Sequence, residues 1–209
     1  MTTTTGGAAN VLSKLEDYLQ TEWPELDVYL TSVTDHYSTA SICGPNSKKI
    51  LKKLFPNKDF SDEAFPHMSY QNAIIDKIEC RIMRISFTGE LSYEINIESK
   101  YGKSLWEKCI EAGEEYKITP YGTETMHLLR AEKGFIIVGQ DTDGTMTPID
   151  LQMDWIVSKK KYDFIGKRSL YRSDTIREDR KQLVGLLTDD PNEILEEGAQ
   201  IVSELDKKP

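Results

Sequence analysis

The sequence is short of long apolar runs, of histidine and of cysteine, and each shortage excludes a class of protein. Hydrophobic residues make up 38% of the 209 residues, and the longest apolar runs are far too short for a membrane-spanning helix. The start, "MTTTTGGAAN", has neither the basic residues nor the apolar segment of a signal peptide. The three cysteines are widely spaced, which fits reduced thiols better than a disulfide framework. The three cysteines and three histidines also do not indicate a metal site. These features predict a cytoplasmic protein without a bound metal or a membrane segment.

Positive charge is also scarce. The chain has 26 Lys and Arg residues against 35 Asp and Glu residues, a formal net charge of −9. No basic face stands out, so nucleic acid is excluded as a partner. The stretch "GGAANV" lacks the third glycine and the preceding strand of a dinucleotide-binding loop. No Ser-His-Asp or Cys-His arrangement follows from the spacing, and we assign no catalytic residue from the sequence.

The pattern of apolar residues predicts a mixed α+β domain. Apolar residues fall on one helical face in 8–23, and amphipathic helices are also expected at 45–55, with Asn46 as its cap, at 101–116 and at 121–134. Alternating or β-rich segments predict strands, with a tight hairpin turn at Asp35-His36 between the first two. The predicted strand segments are 27–34, 37–44, 74–88, 91–98, 147–157, 182–190 and 199–205. This order does not alternate strand with helix, so a regular parallel α/β fold is excluded.

An acidic turn follows the apolar run 135–138, which resembles a buried strand. Such a strand ending in Asp141-Thr-Asp143-Gly-Thr145 is typical of phosphatases that use an aspartate nucleophile, but no alternating strands and helices follow. A calcium loop of the EF-hand type needs Gly at its sixth position and Glu at its twelfth, and neither is present. The pattern therefore favours a surface turn.

The strand around Glu94 leaves two interpretations open. Period-two alternation in "GELSYEI" places Leu91, Tyr93 and Ile95 on one face and Glu94 on the other. Glu94 could be a solvated carboxylate on a half-exposed strand. It could instead accept two N–H donors from a flat heterocycle.

Four stretches, taken in order, narrow the possibilities. They are "FTGELSYEINI", "YGTETMHLLRAEKGFIIVGQDTDGTMTPIDLQMDWIV", "DFIGKRSL" and "LEEGAQIV". Together they resemble the aminomethyltransferase family, the folate-dependent T-proteins of glycine cleavage and their relatives. The stretches "MTTTTGGAANVL", "LQTEWPEL" and "LRAEKGFIIVGQDTDGT" narrow the resemblance to the folate-binding half of the alpha subunits of heterotetrameric sarcosine oxidases.

The resemblance implies a fold and a domain division. It implies the aminomethyltransferase-type folate-binding fold, with mixed and antiparallel sheets and packed helices around a central hole. Residues 1–172 would form this domain without its N-terminal part, and residues 173–209 a linker and the start of a C-terminal β-barrel. The Asp-x-Asp stretch at 141–143 matches a structural turn of the family.

The resemblance also implies which residues contact folate. Glu94 matches the carboxylate that accepts hydrogen bonds from the pterin amino group and ring N–H. Phe135 matches an aromatic position beside the pterin that is commonly Tyr. Tyr93 and Trp155 match neighbouring positions, and Thr4 lies in a Thr-rich segment expected to be a strand near the folate. Met126 stands where the family commonly has Arg, so one folate contact is lost or replaced.

The cofactors and partners follow from the same resemblance. This domain would bind tetrahydrofolate, while FAD, FMN and NAD would be bound elsewhere in the complex with the beta, gamma and delta subunits. The implied activity is oxidative demethylation of sarcosine to glycine with formation of 5,10-methylenetetrahydrofolate. The alternatives are a T-protein-like aminomethyltransferase or related folate-dependent demethylase, and a folate-binding or structural protein without chemistry.

The ends of the chain complete these expectations. The family's essential Asp lies in a Gly-x-x-x-Asp-Asp segment upstream of the Thr-rich start, and this sequence begins after that point. It also stops just inside the predicted barrel. We therefore expect a fragment, or an unusually short gene product, of a larger subunit, and no turnover by the isolated chain.

Overall fold

A computed structural model describes residues 1–196, 198–200 and 202. The chain divides into two compact units, Met1–Phe135 and Ile136–Pro209. The first unit contains all the strands and α-helices of the described residues, and the second is built from turns and two short 3₁₀-helices. The domain division predicted near residue 172 concerns family domains and stays a prediction.

The first unit is organised around one antiparallel sheet of four strands. The strands are β1 (Tyr37–Cys43), β2 (Tyr70–Ile75), β3 (Ile78–Met83) and β4 (Ser92–Glu98), in the spatial order β1-β4-β3-β2. The turn at Asp76 and Lys77, both with positive φ, joins β2 to β3. Strand β4 is therefore central, with β1 on one side and β3 on the other. The prediction of an α+β fold with an antiparallel sheet is confirmed.

Four α-helices accompany the sheet, and their positions agree with the sequence pattern. They are α1 (Ala8–Thr21), α2 (Ser47–Leu54), α3 (Gly102–Gly113) and α4 (Thr123–Glu132). Asn46 stands at the N-terminus of α2, but its side chain makes no capping hydrogen bond. Instead, the Ser47 hydroxyl donates to the Leu91 carbonyl, which fixes α2 to the chain entering β4 (3.0 Å). No helix in the described part of the chain has the length and apolar character needed to cross a bilayer.

One face of the sheet forms the hydrophobic core. Ile82, Tyr93 and Ile95 are fully buried there, which confirms the period-two alternation predicted for β4. Helices α2 and α3 contribute Leu51 and Leu105 to the same cluster. The three cysteines are free, and burial raises the pKa of the Cys80 and Cys109 thiols to about 11. Helices therefore cover this face, and the function-bearing side chains must be sought on the other.

Several predicted strands are absent from the described residues. The segment 27–33 has no strand, and residues 34–36 form a 3₁₀-helix rather than a hairpin turn. The Thr-rich start is also not a strand, since Thr5–Gly7 is a 3₁₀-helix. Residues 135–138 and 182–190 contain turns, bends and irregular backbone, and 147–157 contains turns and the 3₁₀-helix Asp154–Ile156. In each case β-prone side chains lack a neighbouring strand: Tyr29 is 91% exposed and Leu187 is 99% exposed. The predicted strand at 199–205 lies largely outside the described residues, so the predicted barrel remains untested.

Gly89 joins β3 to β4 at a position that excludes a side chain. Its φ is +79°, and an added Cβ would lie against the side-chain carbons of Lys133 at the end of α4. Gly134 has a similar φ of +76°, but its missing Cβ would face open space. Gly89 therefore allows both the turn and the close approach of Lys133.

We expect Gly89→Ala to destabilise the protein more than Gly134→Ala. Both variants place an L residue in the left-handed region, which costs about 1–2 kcal/mol. Only Gly89→Ala adds the clash with Lys133, so its melting temperature should be the lower of the two, and Lys133→Ala should restore part of the difference. Equal losses in thermal unfolding experiments would show that the approach of Lys133 is unimportant.

Candidate functional site

The sheet face opposite the core is polar. In an antiparallel pair, residues opposite each other point to the same face. Glu94 on β4 is opposite Ser41 on β1 and Met83 on β3, and Asn96 is opposite Thr39 and Arg81. The Thr39 hydroxyl donates to Asn96 Oδ1 (2.7 Å). This set, which we call the polar sheet face, consists of Thr39, Ser41, Cys43, Arg81, Met83, Ser92, Glu94 and Asn96.

Glu94 is the central acidic residue of the polar sheet face. It is half-buried, and burial raises its pKa above the usual range of a glutamate. Burial is the one cause of this shift. No hydrogen bond or positive charge from the described residues lowers the pKa of Glu94 again. A desolvated carboxylate without a donor is unfavourable in the free protein. The site is therefore suited to a ligand that brings its own N–H donors.

A groove runs along the polar sheet face within the first unit. Its volume is about 630 Å³, and its lining includes Met83 and Asn96, which neighbour Glu94 across and along the sheet, but not Glu94 itself. Helix α1 lines the other side with Val11, Leu12 and Leu15. The amide nitrogen of Asn96 is buried and has no hydrogen-bond partner among the described residues. The groove thus combines an apolar wall with one unsatisfied polar group, the Asn96 amide, and such a combination is typical of a small-molecule site.

Tyr121 is a second polar residue close to Glu94. Its hydroxyl accepts a hydrogen bond from the Cys43 thiol (3.0 Å). Burial, the contact with Cys43 and the negative charge of Glu94 all raise the pKa of Tyr121. The sequence did not single out this residue. It precedes α4 in an irregular Pro-Tyr-Gly segment, a position that in itself carries no functional signal.

The structure separates the predicted folate-contacting residues. Tyr93 is fully buried in the core, packed against Phe60 and Phe65, on the face opposite Glu94. This placement does not support a direct contact of Tyr93 with a ligand on the polar sheet face. Phe135 is 41% exposed just after α4, where its backbone N–H donates to the Arg130 carbonyl (2.8 Å).

The other two predicted residues are exposed. Trp155 belongs to the second unit, in the 3₁₀-helix Asp154–Ile156. Thr4 lies just before the 3₁₀-helix Thr5–Gly7, and its carbonyl accepts from the Gly7 N–H (3.0 Å). Its neighbours Thr3 and Thr5 line the groove. The roles of Thr4, Phe135 and Trp155 in folate binding stay predictions.

The acidic stretch 141–145 is a turn, as predicted. Asp141 Oδ2 accepts from the backbone N–H of Ile137 (2.7 Å). Asp143 Oδ1 accepts from both the backbone N–H and the hydroxyl of Thr145 (2.7 and 2.6 Å), and these bonds lower the pKa of Asp143. Each aspartate therefore uses a carboxylate oxygen to hold the backbone.

We expect calcium and magnesium to leave the thermal stability unchanged, because these carboxylate oxygens are already engaged in turn hydrogen bonds. In the described part of the chain, no group of three His, Cys, Asp or Glu residues is placed to hold a metal. Thermal unfolding with and without each ion would check this. A saturable rise in melting temperature that Asp141→Asn abolished would contradict the turn assignment.

The second unit contains a buried ion pair. Asp150 is 2% exposed and accepts from Arg180 Nε (2.8 Å) and from a terminal guanidinium nitrogen (2.6 Å). The Thr147 N–H and hydroxyl also donate to this carboxylate, and Arg180 holds the pKa of Asp150 well below its usual range. Sequence reasoning missed this pair, because 30 residues separate its members and neither belongs to a periodic element.

Comparisons with known proteins agree with this structure. The family model described as the GCVT N-terminal domain matches residues 1–161. This chain therefore belongs to the aminomethyltransferase family of glycine-cleavage T-protein domains.

Named relatives refine the assignment. The chain is 58% identical to "Sarcosine oxidase subunit alpha" of Corynebacterium sp. (strain P-1), over 98% of this chain and 21% of that protein. It is 40% identical to the protein of the same name in Rhizobium meliloti (strain 1021), over 97% of this chain and 21% of that protein. It is 34% identical to "Aminomethyltransferase" of Chlorobium limicola, over 68% of this chain and 39% of that protein. The chain thus spans about a fifth of the sarcosine oxidase subunits that it matches.

Proposed function

We propose that this chain is the tetrahydrofolate-binding, one-carbon-transfer domain of a sarcosine oxidase alpha subunit. The observation that carries the proposal is Glu94, a half-buried carboxylate with a raised pKa and no donor from the described residues. Glu94 lies in the sequence motif that, by resemblance to the family, contacts the pterin. A pterin presents an amino group and a ring N–H side by side, which matches the two oxygens of a carboxylate.

The neighbouring residues would hold the rest of the ligand. Asn96 offers a buried amide N–H that has no other partner among the described residues, and its Oδ1 is fixed by Thr39. Because Thr39 fixes the amide orientation, the Asn96 donor is already directed before a ligand arrives. The apolar side of α1 would pack against a flat aromatic body and exclude water. Phe135, Trp155 and Thr4 remain candidate contacts.

The reaction proposed for the whole assembly is oxidative demethylation of sarcosine. Bound tetrahydrofolate would supply the nucleophilic nitrogen that takes up the one-carbon unit as glycine leaves, giving 5,10-methylenetetrahydrofolate. The role of this chain is to position the pterin, which removes the entropic cost of bringing two reactants together. FAD, FMN and NAD, and the beta, gamma and delta subunits, would supply the oxidation in a cytoplasmic complex.

A T-protein-like aminomethyltransferase is the second candidate, because relatives of that name match 68% of this chain. The match to sarcosine oxidase subunits is both longer and higher in identity, and it favours the first candidate.

Calorimetric titration with tetrahydrofolate tests the binding function, with p-aminobenzoylglutamate, which lacks the pterin, as the matched control. Saturable binding of tetrahydrofolate and much weaker binding of the control would support recognition of the pterin by Glu94. Equal binding of the two would show that the tail dominates. No binding of tetrahydrofolate would reject the proposed function.

A further inference from the structure

Tyr121 lies next to the candidate pterin site, in the segment that leads from α3 into α4. Its partner Cys43 is the last residue of β1 and pairs with Ser92, two residues before Glu94. Cys43, Ser92 and Glu94 therefore point to the same side of the sheet. The Cys43–Tyr121 hydrogen bond thus fixes the tyrosine over the polar sheet face (3.0 Å).

The hydrogen bond with Cys43 also determines what Tyr121 can offer. The thiol donates and the phenol oxygen accepts, so the phenol proton remains available for another acceptor. Burial, then the contact with Cys43 and last the negative charge of Glu94 raise the pKa of Tyr121, which keeps the hydroxyl protonated at neutral pH. The side chain is 39% exposed, so a ligand can reach it. Tyr121 is therefore a hydrogen-bond donor beside the acceptor Glu94.

A hydrogen-bond acceptor and a hydrogen-bond donor that lie side by side in a protein match a ring whose edge carries the complementary groups in the same order. Glu94 suits two adjacent N–H groups, and Tyr121 suits a carbonyl oxygen next to them. The 2-amino-4-oxo edge of a pterin has this order: amino group, ring N–H, carbonyl. A neutral 2,4-diamino ring carries a second amino group in place of the carbonyl, and that group cannot accept a hydrogen bond from a phenol. Its ring nitrogen between the two amino groups also carries no hydrogen, so it offers Glu94 one donor fewer.

We propose that Tyr121 is a specificity-determining residue that donates to the 4-oxo group of the pterin held by Glu94. This inference rests on the proposed folate function. A site built to hydrogen-bond a substrate group discriminates against an analogue without that group, because the polar residue is then left unpaired. Tyr121 would thereby distinguish 4-oxo pterins from 4-amino pterins.

Folic acid and aminopterin share one framework and differ in the 4-oxo or 4-amino group and in the hydrogen on the adjacent ring nitrogen. The contribution of Tyr121 is therefore read from the change in their affinity ratio between variants. Dissociation constants for both are measured with the wild type, Tyr121→Phe and Tyr116→Phe. Tyr116 packs against the core on the other face and serves as the control. We expect the wild type to prefer folic acid, and Tyr121→Phe to weaken folic acid binding by about tenfold while changing aminopterin binding little. Tyr116→Phe should leave the ratio of the two constants unchanged.

The outcomes separate this inference from the proposed function. If folic acid binds but Tyr121→Phe leaves the ratio unchanged, Tyr121 does not read the 4-oxo group, whereas the folate function stands. If Tyr121→Phe weakens both probes equally, the residue only shapes the pocket and the inference is wrong. If neither folic acid nor tetrahydrofolate binds to the wild type, both proposals are rejected.

Discussion

Asp150→Asn is expected to lower the melting temperature of the second unit by on the order of 10 °C. The carboxylate of Asp150 receives two bonds from Arg180 and two from Thr147. Asn has one acceptor oxygen and an NH₂ group, which must face at least one of these donors. Removing the negative charge also leaves Arg180 without its main partner, and its remaining contacts are to Asp174 and the Thr145 carbonyl.

The pH dependence of this pair has a definite sign. The folded-state pKa of Asp150 is lowered, mainly by hydrogen bonds from Arg180. Its stabilising contribution is therefore complete above the ordinary Asp pKa of about 3.9 and is lost as the pH falls below it towards the folded value. Stability measured between neutral and acidic pH should decline in the wild type, and less steeply in Asp150→Asn.

Hydrogen exchange by mass spectrometry would locate the effect. Peptides within 145–183 should lose protection in Asp150→Asn, because Asp150 also holds the Leu183 N–H through its carbonyl (2.8 Å). Asp154→Asn is the matched control, since this aspartate is exposed and pairs with Lys159 at 3.7 Å. If the two variants behaved alike, the buried ion pair would not stabilise the second unit.

The sequence predicted well those parts of the fold that rest on local periodicity. In β4, alternation correctly placed Tyr93 and Ile95 in the core and Glu94 on the opposite face. The helices were found from their apolar faces, and the end of α4 also from Gly134. Each of these patterns extends over only a few residues, and in β4 the tertiary packing buries the same residues that the pattern predicts to be buried.

Contacts between distant residues could not be predicted. Segments 27–33 and 182–190 have β-prone compositions, yet a strand also needs a partner to pair its backbone groups. Cys43 and Tyr121 meet across 78 positions, and Asp150 and Arg180 across 30. Neither pair leaves a repeating pattern in a single sequence.

Glu94 is the residue for which the largest effect on binding is expected. A hydrogen bond to a charged acceptor contributes about 1.5–3 kcal/mol, so losing two such bonds should weaken tetrahydrofolate binding by roughly a hundredfold or more. Glu94→Gln keeps one acceptor but adds a donor that would face the donors of the pterin. We therefore expect Glu94→Gln to weaken binding nearly as much as Glu94→Ala in calorimetric titrations.

The same substitution should not destabilise the protein without ligand. Burial raises the folded-state pKa of Glu94, so the charged form costs stability above that pKa, and the cost vanishes below the unfolded-state pKa. Glu94→Gln removes this cost at neutral pH. Its melting temperature without ligand should therefore equal or exceed that of the wild type, which separates lost recognition from lost folding.

Glu90→Gln is the matched control, because Glu90 lies four residues earlier and is exposed. It should bind tetrahydrofolate like the wild type. Affinity of the wild type should also fall with decreasing pH, starting above the ordinary Glu pKa of about 4.3, because protonated Glu94 cannot accept two N–H donors. Normal binding by Glu94→Gln together with weak binding by Glu90→Gln would assign the pterin contact to the other glutamate. The polar sheet face would then not be the folate site, since Glu90 precedes β4 and takes no part in the pairing that places Glu94 beside Ser41 and Met83.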